Sequence, residues 1–319
     1  MGFASHNAPR CIMFGTRWRL FRLLGIPVSL DTSWLIILAL LTLSLAQRFP
    51  GLMKRYYSEI SSAPPPSVYW LMGLIAAVAF FGCILLHELG HAIVARIQRM
   101  PVRGITLFVF GGVAEIDEPP SARVELLVAI GGPLVSVCLA AILGFLAWLG
   151  YRQDWPPPAV IVLGYLAAIN SLVLAFNLVP AFPLDGGRVL RSILWQATGS
   201  LRHATYWSAR VGRGFAAVLI AWGVLNFFAG NWLGGIWIGL IGLFLNNAAE
   251  ASYQQVLVRQ ALAGRPVLIF MNPNPITLPP TVELQRWVED YVYRYHHKAF
   301  PVVSNSRLEG FIETQALAN

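Results

Sequence analysis

This sequence is poor in charge. Of its 319 residues, 12% are charged and 56% are hydrophobic. A soluble globular domain carries roughly 25% charged residues, so the composition excludes an ordinary soluble domain and points to an integral membrane protein. Cysteine is scarce as well. The three present, at 11, 83 and 138, form no CxxC pair and lie in or beside apolar stretches, which excludes a disulfide framework and a thiolate zinc site. No early apolar core ends in small residues, so a cleavable signal peptide is not expected. "MGFASH" has no Ser or Thr at position 6, as a myristoylation signal requires. The net charge of +8 is not laid out as a nucleic-acid-binding face, and no nucleic-acid partner is expected.

What is present is a series of long apolar runs. A membrane-spanning helix needs ~20 such residues, and spans are read at about 30–47, 68–94, 123–150, 159–184, 206–229 and 231–250. The last two are joined by "GNW", which leaves room for a tight turn only. Six spans leave both termini on one side. With the N-terminus inside, 19 of the 23 Lys and Arg residues fall on inner segments, and Arg48, Lys54, Arg55 and Arg152 fall outside. Positive charge concentrates on cytoplasmic loops, so both termini are expected in the cytoplasm.

Four stretches do not read as spans. Residues 1–29 include "TRWRLFRLLGIPVSL", with arginines set against Trp, Phe and Leu, and are expected to lie along the membrane surface. Residues 103–117, "RGITLFVFGGVAEID", are β-branched and aromatic around a Gly-Gly pair and read as a hairpin or re-entrant strand. From 251 onward the composition is mixed, and short strands with an amphipathic helix are expected to form a small α/β module. "APPPS" at 63–67 reads as an outer turn.

The charged cluster in "CILLHELGHA", 83–92, lies inside the second apolar run. An ionisable group at that depth costs at least ~2.5 to 3.5 kcal/mol on insertion scales, so something must offset it. His87 and His91 are four residues apart and leave a helix on one face, one turn from each other. Neutral imidazoles so spaced can share one zinc ion. Glu88, next along the chain, suits a general base better than a ligand. By residue frequency, a chance HExxH arises on the order of once per hundred chains of this length. The plainer alternative is that the three residues satisfy one another in a helix bundle.

A catalytic zinc takes three protein ligands. The fourth span runs in the same direction as the second and ends in "AFNLVPAFPLDGGR", which brings Asp185 to a similar depth; Pro180, Pro183 and Gly186-Gly187 interrupt the helix there. Irregular backbone at that depth needs protein or a water-filled cavity around it. The alternative for Asp185 is a helix cap at the membrane surface. For Asn177 and Asn170 the alternative is a hydrogen bond between helices. His203, His296 and His297 are loop or tail residues with no assigned role.

"HELGH" in one span and "NLVPAFPLDGG" in a later one resemble the site-2 protease family of intramembrane zinc metalloproteases. "FGGVAEI" is similar to that family's membrane-associated β-hairpin, and "GGPLVS" at 131–136 to its third-span motif. The resemblance covers about 20–250, and the six-span plan with a cytoplasmic tail is similar to the branch that carries CBS domains. "FPVVSNSRLEGFIETQAL" resembles the end of one CBS repeat. The tail has space for one repeat where the family normally has two, so adenine-nucleotide binding is left open. The resemblance implies a zinc ion on His87, His91 and Asp185, Glu88 as general base, and Asn177 holding substrate or stabilising the oxyanion.

The expected fold is thus a polytopic α-helical membrane protein of six spans (30–250), with a hairpin at 103–117 and a linker plus partial CBS-like module at 251–319. The expected function is zinc-dependent cleavage of a peptide bond in or near a substrate's transmembrane helix, in a prokaryotic cell membrane, with the active site opening to the cytoplasm. A membrane-tethered transcriptional regulator is the substrate class the family implies. The substrate is expected as an extended strand on the hairpin, with Gly111, Gly112 and Val113 as its seat, since an unwound segment needs partners for its backbone. A metal transporter or a catalytically silent membrane receptor are the rival readings. The first calls for a path of ligands, the second for loss of Glu88.

Overall fold

The computed structural model describes residues 17–57 and 64–314. Arg10, Cys11, part of the outer turn at 63–67 and the final residues from 315 lie outside the described residues. The chain divides into two compact units, Met1–Val258 and Arg259–Asn319.

The first unit is mostly helical. Among the described residues, six helices are long and apolar enough to cross a membrane: α1 (Ser33–Tyr56), α2 (Pro66–Ile97), α3 (Ala122–Arg152), α4 (Pro157–Asn177), α6 (Leu201–Phe228) and α7 (Trp232–Leu262). A shorter helix, α5 (Asp185–Thr198), lies between α4 and α6. The starts are written locally. Pro66 opens α2 and Pro157 opens α4, where the missing N–H costs nothing. Ser121 and Ser200 cap α3 and α6 with their hydroxyls, satisfying a backbone N–H that the helix leaves free. Leu71, Ile75 and Val78 of α2, Phe145 and Trp148 of α3, and Trp222 and Leu225 of α6 are exposed. Outward apolar surface of this kind suits lipid rather than water.

Two differences from the sequence reading concern backbone. The arginine-rich segment does not stand alone: β1 (Arg17–Leu23) and β2 (Ile26–Asp31) form an antiparallel hairpin. β2 then pairs in parallel with β3 (Val102–Phe108), which pairs antiparallel with β4 (Gly111–Ile116). The result is one four-stranded sheet in the order β1-β2-β3-β4. Its inner face packs on α2 through Ile26, Ile105, Leu89 and Ala92, next to the turn that bears Glu88.

The second difference is at the fourth span, which ends at Asn177 rather than continuing to 184. Residues 178–184 form a tight loop, closed by Leu184 N–H donating to the Ala181 carbonyl at 2.9 Å, and Asp185 begins α5. Gly186 and Gly187 therefore do not break a helix; they lie in its first turn. A Cβ on Gly186 would meet the Leu178 carbonyl oxygen at 2.3 Å, and one on Gly187 the Phe182 nitrogen at 2.2 Å. Glycine is required by close approach.

The second unit holds a two-stranded sheet, β5 (Ala299–Ser304) with β6 (Arg307–Glu313). Leu278 bridges to Val302. Its small core is Leu278, Trp287 and Phe300.

Candidate metal centre

His87 and His91 emerge one turn apart from α2, both almost fully buried at 4% and 3% exposure. Asp185, the first residue of α5, reaches them from the other side. Its carboxylate oxygens lie 3.1 Å from His87 Nε2 and 3.1 Å from His91 Nε2, and the two Nε2 atoms are 3.2 Å apart. Among the described residues these three form the cluster able to hold a metal ion, all with buried side chains.

The surroundings decide which atoms are offered. The Val128 carbonyl oxygen lies 2.7 Å from His91 Nδ1. A carbonyl only accepts, and this one is much closer than the Gly132 N–H, which lies 3.3 Å from the same nitrogen, so Nδ1 carries the proton and Nε2 keeps its lone pair. His87 Nδ1 lies 2.8 Å from Ser136 Oγ, which accepts in the same tautomer. Partners of this kind orient a ligating imidazole and set its tautomer. Two nitrogen lone pairs and a carboxylate then face one another, which is unfavourable unless a cation sits among them. Tetrahedral zinc with bonds of ~2.0–2.1 Å separates its ligand atoms by about 3.3 Å, close to the 3.1–3.2 Å between these three side chains. The donor set and its spacing fit zinc.

α3 supplies the floor. Pro133 lacks the N–H that would bond the Ala129 carbonyl, loosening the helix ladder beside the turn where the Val128 carbonyl meets His91. A Cβ on Gly132 would lie 2.2 Å from His91 Nε2 and 2.5 Å from His87 Nε2, so only a hydrogen fits there.

Glu88 is half-buried and points to the sheet, where its Oε2 accepts the Ala114 N–H at 3.0 Å. That N–H is therefore not spent on β3. β4 is an edge strand of the sheet, and a Cβ on Gly112 would lie 2.7 Å from Glu88 Cγ.

The sequence agrees with known proteins over this whole region. A model of peptidase family M50 matches residues 75–153 and 157–220. The chain is 37% identical over 282 residues to Rip3 of Mycobacterium tuberculosis, named as a zinc metalloprotease, covering 88% of this chain and 70% of that protein. It is 30% identical over 295 residues to the zinc metalloprotease MJ0392 of Methanocaldococcus jannaschii, covering 92% and 77%. The chain belongs to peptidase family M50. The site-2 protease structure from Methanocaldococcus jannaschii superposes with a TM-score of 0.50 at 29% identity, covering 74% of this chain and 94% of that one. With the family come its chemistry and its metal: peptide-bond hydrolysis and zinc.

Of the other residues read from sequence, Asn177 ends α4 and is half-buried. Asn170 is buried and donates to the Leu166 carbonyl of its own helix at 2.7 Å. His203, His296 and His297 are exposed and outside the metal cluster. Sequence reasoning does not single out Val128, Gly132 or Ser136, although "GGPLVS" points to the segment. It misses Glu125 and Arg191 entirely. An acid near the start of an apolar span is the available signal for Glu125.

Proposed function

We propose that this protein is an endopeptidase that cuts single-span membrane proteins within or beside their transmembrane helix. His87, His91 and Asp185 would hold the zinc and Glu88 would act as general base. The observation that carries this reading is the convergence of two imidazole Nε2 atoms and one carboxylate at 3.1–3.2 Å, with a second carboxylate next along α2.

Bound there, zinc would supply Lewis acidity and favour ionisation of a water at neutral pH. Glu88 would take a proton from the attacking water and later give it to the leaving amine. The Ala114 N–H holds one Glu88 oxygen in place and leaves the other free for proton transfer. Asn177 would donate its amide N–H to the substrate carbonyl as negative charge develops.

A peptide bond inside a helix is shielded by its own hydrogen bonds, so the substrate unwinds locally. Its backbone groups then need partners, and the β4 edge at Gly111, Gly112 and Val113 is the proposed seat. In an antiparallel ladder, bonding direction alternates along the strand. Gly112 and Ile116 thus share the outward direction of Ala114, while Val113 bonds towards β3 and contributes an exposed side chain.

The distribution of 19 of 23 cationic residues on inner segments supports cytoplasmic termini and an active site reached from the cytoplasm of a prokaryotic cell. Residues 30–250, together with strands β1 and β2, would form the protease domain. The segment from 251 would be a linker and one CBS-like repeat, to which no nucleotide is assigned. A membrane-tethered transcriptional regulator is the proposed substrate class.

The test is co-expression with a panel of tagged single-span proteins, comparing wild type with Glu88→Ala. A fragment released by wild type alone supports the reading. A panel cut equally by both proteins would refute the assigned base.

A further inference from the structure

Glu125 lies in the first turn of α3 and is completely buried; Arg191, on α5, is 6% exposed. The Arg191 Nε–H donates to Glu125 Oε1 at 2.6 Å, and a second guanidinium nitrogen reaches the same oxygen. The guanidinium also lies over the Phe182 ring, 4.9 Å from its centre. Phe182 belongs to the 178–184 loop that delivers Asp185. The loop is clamped from behind as well, since a Cβ on Gly212 of α6 would lie 2.0 Å from the Phe182 carbonyl oxygen.

The positions on α3 form one stripe. Glu125, Val128, Gly132 and Ser136 are separated by three, four and four residues, and so share a helix face. Ser136 meets His87 and Val128 meets His91. Glu125 meets Arg191, which packs on the loop before Asp185. A single face of α3 therefore touches the surroundings of all three residues of the metal cluster.

A buried ion pair is weak evidence for stability, because desolvation offsets most of the attraction and neutral residues of similar shape often do as well. This pair also leaves Glu125 Oε2 buried without a hydrogen-bond partner among the described residues. Fold stability alone does not explain such a pair. Position does: a fork held by a carboxylate and stacked on a ring fixes direction as well as distance.

We propose that Glu125 and Arg191 are positioning residues for the metal centre, setting α5 and its loop so that Asp185 stands at ligand distance from His87 and His91. This rests on the assignment of those three residues as zinc ligands. Neither residue of the pair would touch the metal.

The test uses the purified full chain and three measurements: melting temperature, zinc affinity by chelator competition, and the visible spectrum after cobalt substitution, which reports coordination geometry. Glu125→Gln alone strands the guanidinium and is expected to lower the melting temperature. The double variant Glu125→Gln/Arg191→Met removes both charges and is expected to recover most of that loss. Its zinc affinity should stay about 10- to 100-fold below wild type, the usual effect of losing an outer partner of a ligand, and its cobalt spectrum should change. Phe182→Leu keeps the ion pair and removes the ring beneath it, and should weaken zinc binding severalfold with little change in melting.

Wild-type affinity and spectrum in a folded double variant would overturn the proposal. If the double variant does not fold, the same result in Phe182→Leu would overturn it. Asp185→Ala separates the two claims. If it loses zinc while the double variant keeps it, only the positioning role fails; if it binds zinc as wild type does, the ligand assignment fails and the positioning role with it.

Discussion

The Ala114 N–H on the edge strand β4 donates to Glu88 Oε2 at 3.0 Å, tying the sheet directly to the residue beside the metal cluster. The sheet thus has two tasks in the proposed mechanism, holding the general base and seating the substrate. Both depend on how closely β4 approaches α2, and that approach is set by Gly112.

Gly112→Ala is accordingly expected to impair turnover without releasing zinc. The new methyl would lie 2.7 Å from Glu88 Cγ, and a carboxylate displaced by a fraction of an ångström to an ångström can lose on the order of 10²-fold in rate. The check is kcat and bound zinc on one preparation. Normal turnover would show that β4 does not constrain Glu88.

Gly132→Ala is expected to do the reverse and prevent metal binding. Its methyl carbon would stand 2.2 Å and 2.5 Å from the two imidazole nitrogens, within the space that the ligand atoms must share. Metal analysis of the folded variant is the measurement. Stoichiometric zinc would mean that the ion sits elsewhere.

Asp185→Ala and Asn177→Ala should separate binding from chemistry. The first removes the only carboxylate of the cluster and should lose zinc to a chelator together with activity. The second should keep zinc and lose turnover by roughly 10²-fold or more, the range found when one oxyanion donor is removed. Equal zinc loss in both would place Asn177 among the structural supports of the site.

Orientation can be read by labelling. In a background without cysteine, Arg103→Cys is expected to react with an impermeant thiol reagent only after the cells are opened, and Arg152→Cys in intact cells. Both arginines are exposed. The opposite pattern would invert the topology and place the active-site opening on the outer side.

How far these features are legible in the sequence depends on distance along the chain. The pairing of His87 with His91 is a one-turn relation, readable from spacing alone, and the β3–β4 hairpin announces itself by β-branched residues around Gly111-Gly112. The floor of the site is not readable in this way. Gly132 and Ser136 meet the imidazoles across 41 to 49 positions of chain, and nothing local marks a glycine as lying under a ligand. The run from 159 to 184 stays apolar through Pro183, so it reads as one span. The turn at 178–184 is fixed instead by backbone packing on Gly186, Gly187 and Gly212. The first hairpin is obscured because the arginines of β1 resemble a surface-lying segment, whereas its partner β2 is fixed by parallel pairing to β3, far along the chain.

That Glu88 is the base and not a ligand is the claim on which the mechanism turns. Glu88→Gln keeps the size of the side chain and an oxygen to accept the Ala114 N–H, but removes the capacity to take a proton. Zinc content and cleavage of a single-span substrate should be measured on the same purified sample. One zinc per chain and no cleavage is the predicted result. Loss of the metal along with activity would contradict it, as would cleavage at the wild-type rate.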